Sequence, residues 1–132
     1  MTDAMSDPTR KIAACRKDLA ALAAVWQEVA ARSAPRAKAE AEAQVFNQLV
    51  VALDSQFGGV SGGAAAAAQE VRLLAQGVAA NGGRFPADDV ARWRPDASVT
   101  GYRVGDRIAL SEELFSRLAD VFLDGMAKRF AD

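Results

Sequence analysis

The chain has 132 residues, 51% hydrophobic and 25% charged, with a net charge of -1 and an isoelectric point near 5.5. That length suits one domain, residues 1–132, that buries about two-thirds of its unfolded surface without help from a disulfide or metal. The absence of His and the single Cys15 exclude an intramolecular disulfide, a Cys/His zinc site and acid-base chemistry by His. The charge balance argues against a general coat for nucleic acid while leaving room for a local basic patch.

No stretch reaches the roughly 18 apolar residues of a membrane span. The first residues, MTDAMSDPTRK, are polar and lack the apolar core of a secretory signal. A cytoplasmic location and no membrane partner are therefore expected. Heavy use of Ala, and of Arg over Lys, suggests a GC-rich bacterial genome.

Asp7-Pro8 predicts the start of a first helix near 8–34, with Asp7 as N-cap and Pro8 at the first helical position. Ile12, Cys15, Leu19, Leu22, Trp26 and Val29 recur at spacings of three and four, an a/d seam of nearly three heptads. Ala fills most remaining positions and favours the helix, about 40 Å long at 1.5 Å per residue. A seam this short is expected to face the chain's own core. Cys15 lies on it, which suits a small buried hydrophobe better than a nucleophile.

Ser33-Ala34-Pro35 breaks the pattern, because the residue before Pro is pushed out of the helical region. A second helix, near 36–57, carries Val45, Phe46, Leu49, Val50, Leu53 and Phe57 on one face and stops at Gly58-Gly59. The GGVSGG run that follows lacks both the P-loop pattern and a preceding strand, so it reads as an interhelical connector rather than a phosphate cradle. A third helix, near 64–80, presents Ala67, Val71, Leu74 and Val78. Its five consecutive Ala residues allow a neighbouring helix close in. Asn81-Gly82-Gly83 is a strong stop.

Residues 84–110 change character. Pro86 could open a short helix through Trp93, with Asp88 and Asp89 in its first turn. Residues 98–110 hold β-branched and aromatic side chains around Gly105-Asp106, a pattern that admits a small hairpin turning there. Ser111 is the expected cap of a fourth helix, near 111–130, with Glu112 and Glu113 following.

That last helix is the one the rest of the chain is expected to organise around. Its apolar arc, from Leu114 to Phe130, spans about 200°, where a surface helix shows little more than 100°. Such a helix is either the centre of the core or is covered from two sides. Leu114, Leu118 and Val121 are expected to face inward. Phe115, Phe122, Leu123, Met126 and Phe130 are candidates for an interface with a second copy, covering by residues 84–110 being the rival arrangement.

Arg84, Arg92, Trp93, Arg94, Arg103 and Arg107, with Tyr102, form the other constellation. Cations interleaved with aromatics can serve nucleic acid through phosphate contacts and stacking. Four Asp residues share the segment, so a solvated loop with local ion pairs is the expected state. Asp120 and Asp124 stand one turn apart, with Arg117 and Lys128 expected as their ion-pair partners.

The sequence thus implies an all-α bundle of about four main helices with an irregular segment before the last. No catalytic set, metal site or cofactor site is visible. The expected function is a non-enzymatic protein-interaction or assembly module that self-associates. A nucleic-acid-binding accessory protein using residues 84–107, or a carrier of a small apolar ligand between helices, are the alternatives.

Overall fold

The computed structural model describes residues 6–57, 66–87 and 98–131. They form four helices: α1 (Ser6–Ala31), α2 (Pro35–Gln56), α3 (Ala66–Ala80) and α4 (Glu112–Ala131). The GGVSGG connector and the expected short helix at Asp88-Asp89 fall outside the described residues.

The helix ends follow local chemistry. α1 is already helical at Ser6, so Asp7 lies inside the helix rather than capping it. At its far end the Val29 carbonyl accepts both the Arg32 amide at 3.1 Å and the Ser33 hydroxyl at 2.8 Å, which closes the last turn. Ala34 is extended (φ -66°, ψ 149°), as a residue before proline should be, and Pro35 opens α2. α3 ends one residue before Asn81. The Asn81 and Gly83 amides both donate to the Gly77 carbonyl, and Gly82 and Gly83 take left-handed φ values of 67° and 81°. The Ser111 hydroxyl accepts the Leu114 amide at 3.1 Å, which makes it the cap of α4.

α4 is the centre of the core, and it packs against each of the other three helices. Phe46 of α2 lies 5.5 Å from Phe115 of α4, and Phe57 meets Phe122 at 5.6 Å. Trp26 of α1 meets Phe46 edge to face at 6.0 Å, so three aromatic rings link α1, α2 and α4 in a row. α2 and α3 form the most extensive helix pair. Ala67 and Ala68 of α3 are buried.

α3 is buried on more than the single face its periodicity suggests. Leu73 and Ala75 are as enclosed as Val71 and Leu74. The extra cover includes the chain that follows: the Arg84 carbonyl, Pro86 and Ile108 all close on Gly77.

The hairpin expected within residues 98–110 is not formed. A turn is present, with the Asp106 amide donating to the Arg103 carbonyl and Gly105 at φ 90°. The strand-like pairing is with residues 83–85 instead, through an isolated antiparallel bridge between Arg84 and Arg107. Side chains of the helices take up the remaining polar groups. The Asn47 side chain donates to the Ile108 carbonyl and accepts the Leu110 amide, much as a neighbouring strand would. Glu70, fully buried, accepts the amides of Val99 and Thr100 and the Thr100 hydroxyl. Glu42 accepts the Glu112 amide at the start of α4. A segment with few ladder bonds of its own is thus pinned to α2 and α3.

Candidate functional site

The wide arc of α4 does not supply an exposed face. Phe115, Phe122, Leu123 and Met126 are all buried within the chain, at 4% exposure or less. Val121, expected inside, is 46% exposed. The arc is wide because three helices cover it, which removes the reason for a second copy there. The Phe130 side chain lies outside the described residues.

Among the described residues α1 carries three exposed large apolar side chains, Leu22, Val25 and Val29, while Val45, Val104 and Val121 are exposed singly on other segments. The expected seam splits in two: Ile12, Cys15 and Trp26 are buried and Leu19 half-buried, but Leu22 is 44% exposed and Val29 47%. The cause is periodicity. A heptad seam repeats every 3.5 residues, whereas a straight helix turns every 3.6, a drift of about 20° per heptad. The buried line instead runs Ile12, Cys15, Leu19, Ala23, Trp26, Ala30, five turns in 18 residues, with Ala23 and Ala30 half-buried. Leu22, Val25 and Val29 form a second line beside it. Val25, at 61%, is the most exposed large apolar side chain among the described residues. Ala24, Val25, Glu28, Val29 and Arg32 line a shallow hollow on this face.

On the other flank of α1 a groove of about 510 Å³ runs between α1 and α4. Leu19, Phe46, Phe115 and Leu123 supply apolar lining, and Ala20, Ala23 and Ala119 keep it open. Arg16 spans it, bonding Asp120 at 2.8 Å and Asp124 at 2.7 Å. These two carboxylates were expected to pair with Arg117 and Lys128. The Arg16 fork takes both, while Arg117 pairs with Glu113 at 3.7 Å. Exposed ion pairs contribute little to stability singly, so this one chiefly sets how α1 lies on α4. Gln27 does the same further along, donating to Glu112 at 2.7 Å.

Arg92, Trp93 and Arg94 lie outside the described residues. Arg84, Arg103 and Arg107 gather around the 103–106 turn, all exposed. Arg84 donates to the Gly105 carbonyl at 3.0 Å, and Asp106 accepts the Arg103 backbone amide. Tyr102 belongs to the fold: its hydroxyl accepts the Ala109 amide, and its ring lies near-parallel to Phe85. Such a ring is not presented as a stacking platform for bases.

Burial pushes the Cys15 thiol up, with Asp18 adding to the effect and Arg16 and Lys11 opposing it. A thiol so held stays protonated near neutral pH and is a poor nucleophile. Burial also raises the Asp54 carboxyl, against the pull of Arg72. Among the described residues no group of three His, Cys, Asp or Glu side chains is placed to hold a metal ion. Nor is any described helix long and apolar enough to cross a membrane.

Compared with known proteins, the chain matches no family model, no curated protein and no solved structure. The fold and these surfaces therefore carry the functional reading alone.

The signal for the α1 face was present in the sequence. Three large aliphatic side chains, Leu22, Val25 and Val29, lie on a flank that a strict 3.6-residue line leaves out. A heptad seam takes in Leu22 and Val29 with the buried side chains and passes over Val25, so it does not separate the two lines.

Proposed function

We propose that this chain is a small helical assembly module that acts through protein contact rather than catalysis, and that it self-associates through the outer face of α1. The observation that carries the reading is the exposed line Leu22, Val25, Val29 on a helix whose neighbouring line holds Ile12, Cys15 and Trp26 in the core. Single exposed aliphatic residues are ordinary, but aligned ones form the kind of patch that marks an interaction site. The test is light scattering on purified protein at about 10 to 200 µM, a range that brackets a weak dimer. Mass rising with concentration in the wild type, and a fixed monomer mass for Val25→Glu, support the proposal. A wild type that stays monomeric throughout rejects it.

The α1/α4 groove favours a second reading, a carrier of a small apolar molecule. Its volume falls within the roughly 300–1,000 Å³ of ligand pockets. Its mouth is open and Arg16 crosses it, which suits this role less well than the aligned face suits association. Mass spectrometry of the protein purified under native conditions would reveal a retained molecule.

A further inference from the structure

Resting on that reading, we infer that the partner of α1 is α1 of a second copy running antiparallel, about a two-fold axis at Val25. The charges on this face are arranged for that pairing. Asp18 lies seven residues before Val25 and Arg32 seven after it (25 − 18 = 7; 32 − 25 = 7). Seven residues turn the helix by about 700°, only 20° short of two turns, so all three share one face. Asp18 and Arg32 are exposed, and neither makes an ion pair among the described residues.

A two-fold axis at Val25 sets Asp18 against the partner's Arg32, and Arg32 against the partner's Asp18. A parallel arrangement sets Asp18 against Asp18 and Arg32 against Arg32, which repel. The apolar residues agree with the antiparallel choice. Val25 meets Val25 on the axis, while Leu22, three residues before it, is set against the partner's Glu28, three after, with Val29 one residue further along. The hollow lined by Ala24, Val25, Glu28, Val29 and Arg32 has the make-up of a hole for an incoming aliphatic knob. Ala21 and Ala24 let the two helix backbones come close.

Three apolar side chains per copy make an interface smaller than the roughly 1,600 Å² of a standard stable complex. The dimer is therefore expected to be weak and reversible, with the terminal charges deciding its orientation more than its strength.

Charge reversal tests the orientation separately from association itself. Both positions are exposed, and circular dichroism of each variant checks the fold. Sedimentation equilibrium would compare the wild type with Asp18→Arg, Arg32→Asp and the double reversal. Each single reversal is expected to weaken dimerisation by about tenfold or more, and the double variant to return within about threefold of the wild type. Single reversals without effect, or a double variant that stays weak, would overturn the antiparallel pairing while leaving self-association intact. A wild type that is monomeric at every concentration would overturn both.

Discussion

Leu22 and Trp26 stand one turn apart on α1, yet Leu22 is 44% exposed and Trp26 only 4%. The two belong to adjacent lines of one helix, about 40° apart. Trp26 reaches Phe46 and closes the core, whereas Leu22 joins Val25 and Val29 on the outside. Their substitution by Ala should separate the two roles. Trp26→Ala is expected to cost about 3–5 kcal/mol, as large aromatic truncations in cores do. Leu22→Ala should stay within about 1 kcal/mol in dilute protein, as surface changes do. Denaturant unfolding at low concentration checks both values.

Gly77 sits in α3 where a helix former would ordinarily be preferred. A Cβ there would lie 2.6 Å from the Arg84 carbonyl and 2.6 Å from the end of Ile108. Gly77→Ala gains up to about 1 kcal/mol in helix propensity, but it must displace backbone that cannot easily give. The net expectation is a loss of about 1–3 kcal/mol. A more stable variant in thermal unfolding would mean that the chain after α3 packs less closely.

Glu70 is buried at 1% exposure and holds the amides of Val99 and Thr100 at 2.9 and 2.8 Å. Glu70→Ala leaves those donors without their acceptor and is expected to cost about 2–4 kcal/mol. Glu70→Gln should not restore the loss, since its amide group would direct a donor at a donor. Hydrogen exchange provides the local readout. The Val99 and Thr100 amides should lose protection well before those of α4, and equal protection in variant and wild type would contradict the clamp.

The raised Asp54 carboxyl gives a pH dependence of definite sign. Burial is its main cause, so the folded state binds this proton more tightly than the unfolded chain does. Its contribution to stability is fully present below the ordinary value of 3.8 and is lost as pH rises through the higher folded value. Asp54→Asn should therefore stabilise the protein at neutral pH and remove that part of the slope. Unfolding free energies measured from acid to neutral pH test this, and a destabilised Asn variant at pH 7 would contradict it.

Helix positions were legible because their signals are local. Pro35, Gly82-Gly83 and Ser111 act within one turn of where they stand, and the helices end or begin beside them. The central place of α4 was legible from the width of its apolar arc. What covers that arc was not, because width states how much must be buried and not by what. The pairing of residues 83–85 with the 105–108 stretch joins segments about 20 residues apart, and nothing in the local pattern around Gly105 names its partner. Asn47, Glu42 and Glu70 read as ordinary polar positions of helices. Their roles depend on which backbone the fold brings to them.

The central claim is that association occurs through the outer face of α1. Two-dimensional NMR spectra of the wild type over a dilution from about 1 mM to about 20 µM test it residue by residue, since such a range spans a weak dimer's transition. Concentration-dependent shifts are expected at Leu22, Val25 and Val29, with Asp18 and Arg32 at the ends, while Leu123 and Met126 of α4 stay fixed. Spectra unchanged across the series, or shifts centred on any face other than α1, would contradict the account.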